Sequence, residues 1–224
     1  MQDLNLIQQL AVFILPLIFA ITVHETAHGW VADKLGDHTA RLRGRITLNP
    51  IPHIDPVGTI IVPLALYAMS TLSGGGGFLF GWAKPVPIDP RNFSNYRRDM
   101  ALTAVAGPAS NLLMMLIWAL LLRLAMDMQG VSAWVAEPLA YMAAGGILIN
   151  AILMVLNLLP ILPLDGGRVL ASLLPPKLAM PYARLEPWGL FILIALFATG
   201  LLSPILMPAL GAVQSLAYRV AGIL

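Results

Sequence analysis

The chain has 224 residues, 58% of them hydrophobic and only 11% charged, with a formal net charge of +2 and no cysteine. Soluble domains are about 45–50% apolar and about 25% charged, so a mean hydropathy of +0.82 excludes a water-soluble enzyme, a disordered chain and a secreted scaffold. Without cysteine there is no disulfide and no thiolate zinc site, so any metal must be held by His, Asp or Glu.

Charge-free stretches place the membrane segments in chain order. Leu4–Val23 gives 20 residues, Pro56–Ala83 gives 28, Met100–Leu122 gives 23, Pro138–Leu164 gives 27 and Pro187–Tyr218 gives 32. A crossing helix needs about 20 apolar residues. The first stretch has no basic flank ahead of it and reads as a span, not a cleaved signal. Thr39–Leu48 (TARLRGRITL) alternates small or apolar with basic residues. That period predicts a short β-strand or hairpin at the membrane surface. Pro56–Ala83 contains Pro63 and the run Gly74–Gly77. Its first part reads as helix, and Phe78–Ile88 reads as extended chain. Irregular backbone at membrane depth is tolerated only against protein or a wet cavity, so 56–83 is expected to re-enter on one side. The last stretch breaks at Ser203-Pro204, which leaves a kinked span or a short hairpin open. The expected fold class is mainly α: a polytopic helical membrane protein with a re-entrant loop and a small β element near the cytoplasmic face, in a single domain over 1–224.

Basic residues orient this arrangement. With 56–83 re-entrant, eleven fall on one side, from Lys34 through Arg184, and only Arg123 on the other. Basic residues mark the cytoplasmic side. The N-terminus is then outside, and 33–99 and 164–187 are cytoplasmic. The basic residues read as topology markers facing a lipid bilayer. No dense basic run with interleaved aromatics points to nucleic acid.

His24-Glu25-Thr26-Ala27-His28 carries the chemistry. Positions four apart lie on one helical face, so two imidazoles can grip one ion. Glu25, beside the first, can take a proton from water at that ion. Ionisable groups inside a membrane are costly and functional by default. Zinc in a hydrolytic site takes three protein ligands and one water. The fourth segment supplies a candidate third ligand in Asp165, the only carboxylate in or bordering it on its cytoplasmic side, which otherwise reads as an Asp-Gly-Gly turn at a helix end. Pro160 and Pro163 break that helix, and Gly166-Gly167 lets the chain turn sharply.

The pair His24-Glu25-Thr26-Ala27-His28 and Asn157…Pro160…Pro163-Leu164-Asp165-Gly166-Gly167 resembles the site-2 proteases, the intramembrane zinc metalloproteases. Asn49–Gly58 (NPIPHIDPVG), Gly81–Pro87 (GWAKPVP) and Ala106–Asn111 (AGPASN) resemble their compact bacterial and archaeal branch, without a PDZ or CBS domain. The resemblance implies that His24, His28 and Asp165 hold one Zn2+ per chain. Glu25 would be the catalytic base that activates water for attack on a peptide bond of a transmembrane substrate, then pass the proton to the leaving amine. Asn157 would bond substrate backbone or the developing oxyanion, or else a neighbouring helix. His53 would assist the reaction or cap its loop. The extended 78–88 segment or the 39–48 element is suited to pair with an unwound substrate. The location implied is a prokaryotic inner membrane, with the active site near the cytoplasmic side. The contrasting reading is a metal-ion transporter or metal-binding membrane protein; no continuous polar path or internal repeat supports it. Oligomeric state stays open, a homo-oligomer included.

Overall fold

The computed structural model describes residues 6–62, 65 and 81–223. Helix α1 (Leu6–Lys34) is followed by a single helical turn, α2 (Thr39–Leu42), and a π-helical turn at Pro56–Ile61. An extended segment then leads to α3 (Tyr96–Met128), α4 (Ala133–Asn157), α5 (Asp165–Leu173), α6 (Pro176–Ala183), α7 (Gly189–Ala198) and α8 (Ser203–Val220). Among the described residues, three helical stretches are long and apolar enough to cross a membrane: Val12–Lys34, Tyr96–Met128 and Ala133–Asn157.

Helix α3 is central and packs against α1, α4, α5 and α8. It starts on a reciprocal cap. The Asn95 side chain accepts from the Arg98 amide, and the buried Asp99 carboxylate accepts from the Asn95 amide at 2.9 Å. This satisfies donors that a helix start leaves open. Trp118, Ala119 and Leu122 of α3 pack on Ala143, Ile147 and Ala151 of α4, with Ala217 of α8 closing the cluster. A Cβ on Gly146 would come within 2.4 Å of the Trp118 ring, so this glycine lets the indole reach the α4 backbone. Close approach over small residues is how membrane helices gain contact area, because lipid is as apolar as leucine. The polarity is accordingly inverted. Asn111 and Asn150 are 0% exposed, while Leu113 and Leu120 on α3 are 60% and 58% exposed. Leucines that face outward beside buried asparagines suit a hydrocarbon solvent and identify an integral membrane protein.

The expected β element at 39–48 is absent: no strand occurs among the described residues. Thr39–Leu42 is helical, and Gly44 stops it with φ 63°. The Gly44 amide bonds the Arg41 carbonyl and the Arg45 amide bonds the Ala40 carbonyl, both at 2.9 Å. That pair of bonds with a left-handed glycine is a Schellman C-cap. The alternation in sequence came from a one-turn helix and its cap, with Ala40 and Arg45 turned inward and Arg41, Leu42 and Arg43 exposed. The re-entrant path expected for 56–83 falls mostly on residues outside those described, Gly74–Gly77 among them. The fourth span also ends earlier than the charge-free run. Helix α4 stops at Asn157, and Asp165 is the first residue of a new helix, because Pro160 and Pro163 cannot continue an α-helix. The last stretch is a right-angled corner. The α6–α7 arm meets α8 at 88°, with Gly200 at φ 71° in the break.

Residues 81–89 form an extended strap across the C-terminal half of α1. Backbone and side-chain hydrogen bonds tie it inward along its length. The Trp82 amide bonds the Gly58 carbonyl at 3.1 Å, and the Lys84 amide bonds the His53 carbonyl at 2.9 Å. The buried Arg45 donates to the carbonyls of Lys84 and Pro85 at 2.7 and 3.2 Å. At the far end the Asp89 amide donates to Asp37 at 2.7 Å, and the Asn92 side chain to the other Asp37 oxygen at 2.8 Å. Burial alone would push the Asp37 carboxyl up. Hydrogen bonds from Thr39, Asn92 and the Asp89 amide outweigh it and hold that carboxyl below its ordinary value.

A carboxyl depressed by folding adds stability above its unfolded pKa of about 3.9 and loses that contribution as pH falls through the folded value. Protection of the Asp89 amide against hydrogen exchange, corrected for intrinsic rate, should therefore fall on acidification below about pH 4. Asp89 itself, held at about 2 by Arg91, stays ionised through most of this window. In Asp37→Asn the protection should be about tenfold lower at pH 7, since bonds to a charged acceptor are stronger, and its acid dependence should vanish. An unchanged acid profile in that variant would assign the strap's anchoring elsewhere.

Candidate metal centre and active site

His24, Glu25 and His28 lie well inside α1, which runs about three turns past the apolar stretch to Lys34. Three ligand atoms converge between α1 and the start of α5. The Nε2 atoms of His24 and His28 are 3.1 Å apart, and Asp165 Oδ2 stands 3.2 and 3.3 Å from them. All three side chains are buried. A tetrahedral ion with ligands at about 2.0–2.1 Å needs ligand atoms about 3.3–3.4 Å apart. The triangle is within a few tenths of an ångström of that size.

Proton placement supports the same conclusion. Asn150 Nδ2 donates to the Gly146 carbonyl at 2.9 Å, an atom that can only accept. Its Oδ1 therefore accepts from Asn111 Nδ2 at 3.0 Å, and Asn111 Oδ1 faces His24 Nδ1 at 2.6 Å. His28 Nδ1 faces the Thr103 carbonyl at 2.7 Å. An acceptor facing Nδ1 places each histidine to donate from that atom, which leaves Nε2 to turn its lone pair inward toward a metal. Asp165 Oδ2 is buried there without a hydrogen-bond donor. Two lone pairs and a carboxylate aimed at one point repel unless a cation sits among them. The donor set of two imidazoles and one carboxylate suits zinc.

Glu25 is the neighbour of His24, about 100° around the helix, so it borders the centre without joining the triangle. Its Oε2 accepts the Val86 amide of the strap at 2.8 Å. Two connected spaces open here. A chamber of about 110 Å³ is lined by the ligand triad, Glu25, Val86 and Arg168 among others. A groove of about 610 Å³ runs from it between α4, α7 and the strap, past Leu153, Leu156, Leu193 and Trp82. Asn157 ends α4 where the two meet and donates to the Leu153 carbonyl of its own helix at 3.0 Å. His53 lines neither space. Its ring faces the Thr47 carbonyl at 3.0 Å, and its own carbonyl holds the strap.

Of the residues that hold the histidines, Gly107 and Asn111 stand in the AGPASN segment without an assigned role, and Thr103 is not singled out by sequence. Thr103, Gly107 and Asn111 stand four apart on α3, on one face. A Cβ on Gly107 would lie 2.4–2.5 Å from atoms of both imidazoles. The signal was present: an asparagine deep inside a charge-free span, with a glycine one turn before it. In membrane metal sites as elsewhere, partners of the ligand rings fix ring orientation and tautomer.

A buried two-histidine, one-aspartate centre with an adjoining glutamate, set in membrane helices beside an apolar groove, defines a membrane-embedded zinc metallopeptidase. Comparison with known proteins agrees. The profile of "Peptidase family M50" matches residues 125–199, the part that contains Asp165. "Putative zinc metalloprotease YwhC" of Bacillus subtilis is 38% identical over 206 residues, 89% of this chain and 85% of that protein. "Putative zinc metalloprotease Rip2" of Mycolicibacterium smegmatis is 29% identical over 84% of this chain and 68% of that protein. No solved structure matches this chain. The chain belongs to peptidase family M50, the site-2 protease family of zinc metalloproteases.

Proposed function

We propose that the protein is an endopeptidase that hydrolyses a peptide bond in or near a transmembrane segment of another membrane protein, with one zinc ion held by His24, His28 and Asp165. The observation that carries this reading is the ligand triangle opening, beside Glu25, onto a groove of membrane-facing apolar residues. Zinc, when bound, supplies Lewis acidity that polarises a carbonyl and makes water easier to deprotonate. The chain's own residues do the rest. Glu25 takes the proton from the attacking water and delivers it to the departing amine. The Val86 amide holds Glu25 Oε2 and leaves Oε1 for that work. The Asn157 side chain, at the junction of chamber and groove, is placed to bond substrate backbone or oxyanion.

The strap supplies a docking edge. Trp82 and Lys84 use their amides inward, so in extended chain Gly81 and Ala83 present the opposite edge; both line the groove. An unwound substrate can pair there by strand addition. Pro85 and Pro87 carry no amide hydrogen, which limits pairing to the stretch before them. The distribution of basic residues supports an outside N-terminus and an active site toward the cytoplasm. The named relatives are bacterial proteins, in keeping with a prokaryotic inner membrane.

The test is cleavage of a transmembrane peptide by the purified protein in lipid nanodiscs. Cleavage should fall within the apolar stretch, stop when zinc is removed by a chelator and return on adding zinc but not magnesium. Hydrolysis that persists in metal-free protein would reject the reading.

A further inference from the structure

Arg168 has no task in the mechanism above. It lies three residues beyond Asp165 on α5 and follows that ligand along one face of the helix. It lines both the metal chamber and the apolar groove, and no other lysine or arginine among the described residues lines either. The arginines elsewhere are accounted for. Arg41, Arg91, Arg98 and Arg123 pair with carboxylates, and Arg45 and Arg97 with backbone carbonyls. Arg43, Arg184 and Arg219 are exposed. Arg168 is half-buried, and among the described residues its guanidinium has neither a hydrogen-bond nor an ion-pair partner. The two carboxylates that line the chamber with it serve elsewhere: Glu25 Oε2 accepts the Val86 amide, and Asp165 Oδ2 is the third corner of the ligand triangle.

A guanidinium withdrawn from water against an apolar wall is costly unless an anion meets it. Its planar fork matches a carboxylate in two parallel hydrogen bonds. We propose that Arg168 binds a carboxylate of the substrate chain at the junction of groove and chamber. This rests on the peptidase reading. Two sources share the chemistry. One is an aspartate or glutamate side chain close to the scissile bond, which would make Arg168 a specificity residue. The other is the carboxylate made by the cut. Hydrolysis adds the water's OH to the acyl carbon and its remaining proton to the nitrogen as the C–N bond breaks. The acid so formed ionises at neutral pH, which would make Arg168 a product-holding residue.

The experiment uses the full chain as Glu25→Gln, zinc-loaded in nanodiscs, so that binding is read without turnover. Four fluorescent peptides share one apolar sequence. One pair differs in a C-terminal carboxylate or amide; the other pair, both amidated, differs in one internal Asp or Asn. With Arg168 present, at least one anionic member should bind about tenfold tighter than its neutral partner, as a charge-assisted bond removes that much when lost. The pair that responds identifies the source. Arg168→Gln should bring the ratio within twofold at unchanged zinc content, and Arg168→Lys, which keeps the charge, should retain part of it. Equal binding within both pairs overturns the proposal, as does binding of none of the four peptides. A preference that survives Arg168→Gln also overturns it and assigns the carboxylate to the metal. Wild-type cleavage, measured separately, tests the peptidase reading. Binding preference without cleavage sinks that reading alone, and cleavage without preference sinks the role of Arg168 alone.

Discussion

Glu25→Gln should lower cleavage of a transmembrane peptide by about 10²–10⁴-fold, the usual weight of a general base, while zinc content stays at the wild-type level. Glutamine keeps the length of the side chain and can still offer its carbonyl oxygen to the Val86 amide, now bonded to Glu25 Oε2 at 2.8 Å. The position of the group survives and its basicity does not. The triangle of His24, His28 and Asp165 does not include Glu25, so the metal should be untouched. Asp165→Ala is the contrasting variant. It removes one corner of the triangle, and two imidazoles alone hold zinc weakly, so metal and activity should fall together. Metal analysis and a cleavage assay on the same purified samples separate the two. Near wild-type turnover in Glu25→Gln would reject it as the base. Loss of zinc as complete as in Asp165→Ala would make Glu25 a ligand.

The legible parts of this site are those that helical spacing or solitude defines. His24 and His28 announce themselves by a four-residue interval in an apolar segment, and Asp165 by being the only carboxylate near the fourth. What sequence conceals is pairing across distance. Arg45 looks like one basic residue of a surface run, yet it is buried and holds the carbonyls of Lys84 and Pro85, thirty-nine and forty positions away. The 39–48 segment misleads for a related reason. Period-2 alternation over so few residues is also met by one helical turn and its glycine cap, and only the φ of Gly44 distinguishes them. His53 looks reactive between its prolines; in the fold its ring faces the Thr47 carbonyl and its own carbonyl accepts the Lys84 amide of the strap.

The strap and helix α3 show how function is distributed in this fold. The side chains of the candidate metal centre and the proposed base sit on α1 and α5, but their aim is set from outside those helices. Glu25 is oriented by a backbone amide of an extended segment, and both histidines by acceptors on α3. A polar network of this kind has high value in a low-dielectric setting, where an unpaired partner is expensive. Asn111 and Asn150 belong to it, which accounts for two fully buried amides between membrane helices.

Gly107→Ala should cost most of the zinc with a single methyl group. Thr103, Gly107 and Asn111 form one face of α3, and the outer two hold the Nδ1 atoms of His28 and His24 at 2.7 and 2.6 Å. Gly107 lies between them, where the imidazoles cross the helix. An added Cβ would meet His28 Nε2 at 2.4 Å and the Cε1 atoms of both rings at 2.5 Å, far inside van der Waals contact. Exposed side chains would swing aside at little cost. These rings cannot, because turning either one breaks the bond that fixes its tautomer and points Nε2 at the metal. The alternative is for α1 and α3 to separate, at an overpacking cost of about 1–3 kcal/mol, which also carries the histidines away from Asp165. Both responses spoil a triangle whose edges are 3.1–3.3 Å. Zinc affinity should fall by at least the 10–100-fold typical of losing a ligand's supporting partner, and cleavage with it. Gly211→Ala is the control, since nothing lies within 4 Å of a Cβ there, and it should keep its metal. Zinc per chain by mass spectrometry, with helicity by circular dichroism to confirm folding, reads the outcome. Full zinc occupancy in a folded Gly107→Ala protein would mean that the rings have freedom this packing denies them.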